Sequence, residues 1–157
     1  MPEPLTQLFS NFPLICAFLA WLIAQVLKFF ITLILYRDSL SKKTLLSSGG
    51  MPSSHSATMC ALSAAIGLTQ GMDSPAFAVA VATAFIVMYD AMGVRRSAGE
   101  QAKTLNQLIE HLFNENQFPV ETTVREIFGH TPLQVLVGAI IGIVLPFVLQ
   151  FPFGIAS

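Results

Sequence analysis

Charge is what this sequence has least of. Only 11% of its 157 residues are Asp, Glu, Lys or Arg, whereas a soluble domain has about 25%. So few charges cannot cover a water-facing surface, and the 54% hydrophobic content indicates a membrane protein. The eight basic and nine acidic residues leave a net charge of -1. We therefore expect no nucleic-acid partner, because such binding requires a clustered basic surplus.

Cysteine is scarce as well. The two cysteines, Cys16 and Cys60, both lie within apolar runs. This placement argues against a disulfide scaffold and favours reduced thiols in the core. The chain length is close to the most common size of one folded unit, so residues 1–157 are expected to form a single membrane-embedded domain.

Long apolar stretches predict four membrane-spanning helices, at residues 12–36, 55–70, 75–92 and 132–151. The first would be about 37 Å long as a helix, enough to cross a hydrocarbon core of about 30 Å. The second is rich in Ala, Ser and Gly, which suits close packing between helices. With an amphipathic helix over 98–112 and a short helical turn ending at Gly129, the fold class is predicted to be an all-α integral membrane bundle.

The basic residues predict how the chain is oriented. If the first helix runs from outside to inside, Lys28 lies within that helix and the only charge in the outer link 71–74 is Asp73. All other basic residues then lie on the inner side: Arg37, Lys42, Lys43, Arg95, Arg96, Lys103 and Arg125. The positive-inside rule places that side in the cytoplasm or its organellar equivalent. A bacterial inner membrane and an organellar membrane such as the thylakoid both fit.

The stretch SSGGMPSSHS (47–56) leads from a Gly pair into the second helix. Pro52 suits the first helical turn, and Ser53 and Ser54 offer hydroxyl and backbone N–H groups. A Gly-rich turn before a helix N-terminus favours anion binding. His55 stands in the same turn. The alternative interpretation is an ordinary N-cap in which His55 satisfies the helix end.

His130 occupies a similar place before the fourth helix, where Thr131 can cap the helix and Pro132 can begin it. Both of these helices begin on the inner side in the predicted topology. The two histidines would then share an electropositive region, where two imidazoles can divide the roles of nucleophile and general acid.

Lys28 is a charge inside an apolar helix. Inserting such a residue at the centre of a membrane helix costs about 2.5–3.5 kcal/mol, so it is interpreted as functional by default. The alternative is a side chain that extends to the inner membrane surface. At three- and four-residue steps it lies on one helical stripe that we expect to face the bundle interior, together with Trp21, Gln25, Thr32 and Tyr36.

The third helix ends with Asp90 and is followed by Arg95 and Arg96. Paired arginines after a membrane helix often serve only as topology signals, but they can also bind a phosphate bidentately. Asp90 near the membrane boundary needs a partner, and an arginine of this turn is the obvious candidate.

These motifs, taken together, resemble a known family. Lys28 and Arg37, GGMPSSHSA (49–57), DAMGVRRSAGEQAKTLN (90–106) and GHTPLQVLVGAIIG (129–142) occur in this order. The pattern resembles the divergent branch of the type 2 phosphatidic acid phosphatases, within the acid phosphatase and vanadium-dependent haloperoxidase superfamily. The resemblance covers essentially the whole chain. It implies a membrane phosphatase for a phospholipid or polyprenyl phosphate, with no metal or other cofactor.

The resemblance also implies residue roles. Lys28 and Arg37 match the basic pair that binds the phosphate. Ser53, Ser54 and His55 match the second element, with Ser54 in place of a glycine and His55 as the general acid. His130 matches the nucleophile, which would form a phosphohistidine.

Besides Ser54, two more features depart from the family pattern. The superfamily's arginine before the nucleophile has no match at its usual spacing; Arg125 is one residue closer, and Arg95 or Arg96 could substitute. The acid four residues after His130 is Gln134 here, and an amide can orient an imidazole but cannot neutralise its positive charge. A corresponding acid-to-amide change in a serine-protease triad costs about 10⁴ in rate.

Gln134 therefore keeps a second hypothesis open. The chain could be a non-catalytic descendant that binds or moves phospholipid, or that organises membrane partners. Gly138 and Gly142 form a small-x-x-x-small pair suited to close helix contact. That contact would serve either the interior of the bundle or a homo-oligomer.

Overall fold

Helices and the turns between them make up the described part of the computed structural model, which covers residues 4–35, 50–114 and 129–155. The all-α class is thereby confirmed. The predicted helical turn before Gly129 lies outside the described residues. The helices are α1 (Pro4–Phe9), α2 (Phe12–Leu35), α3 (Ser54–Gln70), α4 (Pro75–Met92), α5 (Val94–Asn114) and α6 (Pro132–Leu149).

Three helical stretches in the described ranges are long and apolar enough to cross a membrane: Phe12–Ile34, Pro75–Ile109 and Pro132–Leu149. Membrane association, predicted from the scarcity of charge, is supported by these stretches. The helix α3 has 17 residues, many of them small, and does not belong to this set. The count of four spans therefore stays a prediction.

The short helix α3 lies at the centre of the bundle, in contact with α2, α4 and α6. Its Ala57, Ala61 and Ala65 are fully buried and pack with the small residues of α2 around Ala20 and Ala24. Alanine side chains let two helix backbones approach closely, which is how helices associate where no hydrophobic effect drives them together. Cys16 and Cys60 are buried free thiols, as predicted.

The pair Gly138 and Gly142 serves the contact between α3 and α6 within the chain. A Cβ atom at Gly138 would overlap the Ser53 carbonyl oxygen, and one at Gly142 would overlap the Ala57 carbonyl oxygen. The Ser53 N–H donates a hydrogen bond to the Gln134 carbonyl oxygen over 3.0 Å. These contacts fix α6 parallel to α3, with the first turns of both helices side by side.

One more connection brings a third helix end to the same place. Ser74 caps α4 through a hydrogen bond from the Phe77 N–H. The chain reverses in the turn after α3, and α4 runs back toward the start of that helix. The Ala91 carbonyl near the end of α4 then accepts a hydrogen bond of 2.9 Å from the His130 N–H. The end of α4 thus meets the starts of α3 and α6.

The predicted amphipathic helix is present as α5. On its apolar side Ala102 is buried, but Leu105 and Leu108 are 45% and 54% exposed. Lys103 and Gln107 on the other side are exposed too. The described residues therefore leave most of the apolar side of α5 uncovered, as expected for a helix lying against a membrane surface.

Candidate functional site

The first turn of α3 is built around Ser53, which is the N-cap of the helix. Its hydroxyl oxygen accepts hydrogen bonds from the Ser56 N–H over 3.4 Å and from the Ser56 hydroxyl over 3.0 Å. Pro52 precedes this cap and lies outside the helix, so its predicted place in the first turn is wrong. Ser53 and Ser54 are both buried. The Ser53 hydroxyl is thus committed to the helix start, which positions His55.

The first turn of α6 is a capping box. The Thr131 hydroxyl oxygen accepts from the Gln134 N–H over 3.4 Å, and the Gln134 side-chain oxygen accepts from the Thr131 N–H over 3.1 Å. Thr131 and Pro132 begin the helix as predicted. This arrangement holds the Gln134 amide next to His130, the residue that precedes Thr131.

Gln134 also contacts the His130 imidazole. Its side-chain oxygen lies 3.2 Å from His130 Nδ1, and the Thr131 N–H donates to the same atom, which identifies that atom as the amide oxygen. Because an amide oxygen only accepts hydrogen bonds, Nδ1 carries the proton and Nε2 carries the lone pair. Gln134 thus sets the tautomer in which Nε2 can act as a nucleophile.

The structure brings the two candidate catalytic histidines together. The ring centroids of His55 and His130 lie 6.1 Å apart, in an edge-to-face arrangement. His130 is only 2% exposed and its backbone is held by Ala91. A Cβ atom at the preceding Gly129 would overlap the backbone N of Arg96, so only glycine allows this close approach.

Lys28 lies beside this pair of helix ends. Its side chain is 4% exposed, and a Cβ atom built at Gly50 would lie 3.5 Å from the carbons of its stem. Gly50 itself has a φ of +99°, a conformation that favours glycine. Within the described ranges Lys28 has no hydrogen bond or ion pair. A buried ammonium of this kind favours the binding of an anion.

The predicted stripe around Lys28 is wrong at Trp21. The Trp21 ring is 41% exposed, whereas Cys16, Ala20 and Ala24 are buried in line with Lys28 at four-residue steps. A tryptophan on this face would hold α2 away from α3, while small residues let the two helices meet. Gln25 and Thr32 are half-buried at the edge of the contact, and Tyr36 lies outside the described residues.

Of the arginines predicted to bind the phosphate, Arg95 and Arg96 lie in the first turn of α5. The Arg96 side chain is exposed and its Nε lies 3.2 Å from the Glu100 carboxylate, one turn along α5. The backbone N and Cα of Arg96 lie against Gly129, the residue before His130. Arg95 is part of α5, and Asp90 lies half-buried next to Ala91 on α4. Arg37 and Arg125, predicted to bind the phosphate or substitute in that role, lie outside the described residues.

Two contacts that position the histidines, Ala91 with His130 and Gly138 with Ser53, were not identified from the sequence. The Ala91 carbonyl gives no signal, because every residue has one. Gly138 did give a signal, since its spacing to Gly142 marks a close helix contact. That spacing could not identify Ser53, and with it the start of α3, as the neighbour.

Sequence comparison relates this chain to a known family and to a bacterial membrane protein. The family described as "Divergent PAP2 family" matches residues 9–145. An "Uncharacterized membrane protein YuiD" of Bacillus subtilis (strain 168) is 42% identical, over 94% of this chain and 99% of the relative. No solved structure matches the chain.

Proposed function

The chain belongs to the divergent PAP2 family, and on this basis we propose that it is a membrane lipid-phosphate phosphatase. Its site would hydrolyse a phosphomonoester at the inner membrane face through a phosphohistidine. The observation that carries the proposal is the pairing of His55 and His130, 6.1 Å apart between ring centroids, at the starts of two parallel helices.

Three features support phosphate as the ligand of this pair. The N-termini of α3 and α6 lie side by side at the same end of the bundle, and helix N-termini favour anions. Lys28 supplies a buried positive charge beside Gly50. The surrounding low-dielectric environment strengthens each of these attractions to a phosphoryl group.

In the first step, the Nε2 lone pair of His130 attacks phosphorus and forms an N–P bond. The P–O bond to the lipid alcohol breaks, and protonated His55 donates its proton to the leaving alkoxide. Lys28 neutralises the charge on the non-bridging oxygens. The amide oxygen of Gln134 holds the proton on His130 Nδ1 throughout. It thereby orients the positively charged phosphohistidine ring but does not neutralise its charge.

In the second step, neutral His55 takes a proton from a water molecule as that water attacks phosphorus. The N–P bond breaks, inorganic phosphate leaves, and His130 regains its lone pair. His55 ends protonated, ready for another cycle. Each imidazole thus returns to its starting state, and the net reaction consumes one water per phosphate released.

The amide side chain of Gln134 favours a second candidate function, which is phospholipid binding without hydrolysis. With the Gln134 amide on His130 Nδ1 in the place of the family's carboxylate, the same site can bind the phosphate of a phospholipid without turning it over. The chain would then be a phospholipid-binding or phospholipid-moving descendant of the family, or an organiser of membrane partners. Phosphate-dependent lipid binding in the absence of any phosphate release would favour this alternative.

The test compares three histidine variants in lipid nanodiscs containing a long-chain lipid monophosphate. We expect His130→Ala to abolish phosphate release and His55→Ala to lower it by about 10²–10⁴-fold, the range for loss of a general acid. His111→Ala is the matched control, because His111 is exposed on α5. Quenching in alkaline detergent, in which a phosphohistidine survives, should trap protein-bound ³²P from labelled substrate in the native chain but not in His130→Ala. Turnover that persists in both site variants contradicts the proposal.

A further inference from the structure

An apolar groove lies between α3, α4 and α6, outside the residues used in the reaction. Its volume is about 340 Å³, at the lower end of the range of small-molecule sites. Ser63 carries the one hydroxyl among the described lining residues, and that hydroxyl donates to the Met59 carbonyl oxygen over 2.8 Å. The groove therefore offers no free polar group, and ordered water would find no partner in it.

The groove opens toward the membrane. Phe85, Ile143 and Phe147 line it and are themselves exposed on the outer surface of α4 and α6. Ala84 of α4 and Ala139 of α6 both line the groove. Their small side chains leave space that larger residues would fill. A hydrocarbon chain can thus enter sideways between α4 and α6 without crossing water.

The groove also leads to the histidine pair. Its lining on α4 follows one helical stripe that includes Phe77, Val81, Ala84 and Met88. One turn beyond Met88 on this stripe lies Ala91, whose carbonyl oxygen accepts the hydrogen bond from the His130 N–H. From Ala91 to Phe77 the helix rises about 21 Å, more than half of a hydrocarbon core of about 30 Å.

We propose that this groove binds one hydrocarbon chain of the lipid whose phosphate lies at His55 and His130. The proposal rests on the proposed function for the location of the phosphate. A single chain fits the small volume, the absence of free polar groups and the membrane-facing mouth. The substrate class is then a long-chain lipid monophosphate, held by its chain in the groove and by its phosphate at the helix starts.

The experiment uses photocrosslinking, which reports binding whether or not turnover occurs. The probe is hexadecyl phosphate with a diazirine on the chain, and the control probe is the matching hexadecanol. Both are added to the full chain in nanodiscs, and the labelled peptides are identified by mass spectrometry. We expect the phosphate probe to label groove residues such as Met88 and Ile143 about tenfold more than the alcohol does, because only the phosphate anchors the chain.

Two variants fill the groove. Ala139→Leu adds bulk within it, and Ile143→Trp blocks it at its exposed mouth, where the core is least disturbed. Each should lower groove labelling about tenfold, as expected when about two methylenes lose their burial, and raise the KM for hexadecyl phosphate with no change in turnover of butyl phosphate. Ala82→Leu is the matched control, because Ala82 is exposed on α4 outside the lining.

Equal labelling by the phosphate and the alcohol would overturn the proposal, since the groove would then hold bulk lipid. Labelling spread over lipid-facing positions such as Phe29, and insensitive to Ala139→Leu, would overturn it too and leave the proposed hydrolysis standing. Phosphate-dependent labelling of the groove with no phosphate released from either substrate would support the groove and overturn the hydrolysis.

Discussion

At the scale of single residues, the chemistry that we propose for the site depends on Gln134. Its side-chain oxygen accepts from both Thr131 N and His130 Nδ1, so one atom caps α6 and sets the imidazole tautomer. A glutamate can make both hydrogen bonds as well, because Glu and Gln both complete a capping box. The two residues differ in charge alone, which makes the position a clean probe of catalysis.

We predict that Gln134→Glu raises kcat for phosphate release about tenfold or more, because a carboxylate neutralises the positive charge of the phosphohistidine. Gln134→Met, which has a similar shape but no strong acceptor, should lower kcat with little change in KM. The measurement is steady-state phosphate release from hexadecyl phosphate. A kcat that is equal in all three chains would show that Gln134 does not act through His130.

At the scale of helices, the contact between α3 and α6 positions both histidines. Gly138 lies against the carbonyl of Ser53, the residue that caps α3, and Gly142 lies against the carbonyl of Ala57 one turn further on. Backbone atoms cannot yield as a flexible side chain can. Any side chain at Gly138 therefore moves the whole first turn of α3, and with it His55, relative to His130.

We predict that Gly138→Ala lowers the free energy of unfolding by about 1–3 kcal/mol, the usual cost of overpacking. Thermal unfolding in detergent, followed by circular dichroism, measures the change. Val144→Ile is the control, because it adds one carbon to an exposed position of the same helix and should change the stability by less than about 0.5 kcal/mol. Equal stability of the two variants would contradict a close α3–α6 contact.

At the scale of the whole molecule, three helix ends and Lys28 meet at one cationic site. The start of α3, the end of α4, the start of α6 and Lys28 of α2 all lie there, and α5 begins beside it. The turn between α3 and α4, with Asp73, lies at the opposite end of the bundle. The orientation predicted from the basic residues would place the site at the inner membrane face.

We predict that a membrane-impermeant maleimide labels Asp73→Cys in intact cells and labels Gln101→Cys only after permeabilisation. Asp73 and Gln101 are exposed in the turn and on α5. The native chain is the control, because both of its cysteines are buried and should stay unlabelled. The reverse labelling pattern would place the histidines on the outer side.

Much of the fold could be predicted because it depends on local sequence. Long apolar runs, Ser and Thr caps and the amphipathic pattern of α5 specify helices residue by residue, and the observed bounds follow them closely. The motifs around His55 and His130 were enough to predict the family, and the family match over residues 9–145 confirms that prediction. Both histidines were also expected at helix starts, although α3 begins after the cap Ser53 and not at Pro52 as predicted.

What only the tertiary structure decided is how the helices face one another. The stripe containing Trp21 was predicted to face the interior, yet small residues at Cys16, Ala20 and Ala24 form the contact, because backbone approach between membrane helices depends on side-chain size. The groove beside Met88 also arises from this packing. Sequence periodicity shows which residues share a face of one helix, but the neighbour on that face is chosen by fit across the whole bundle.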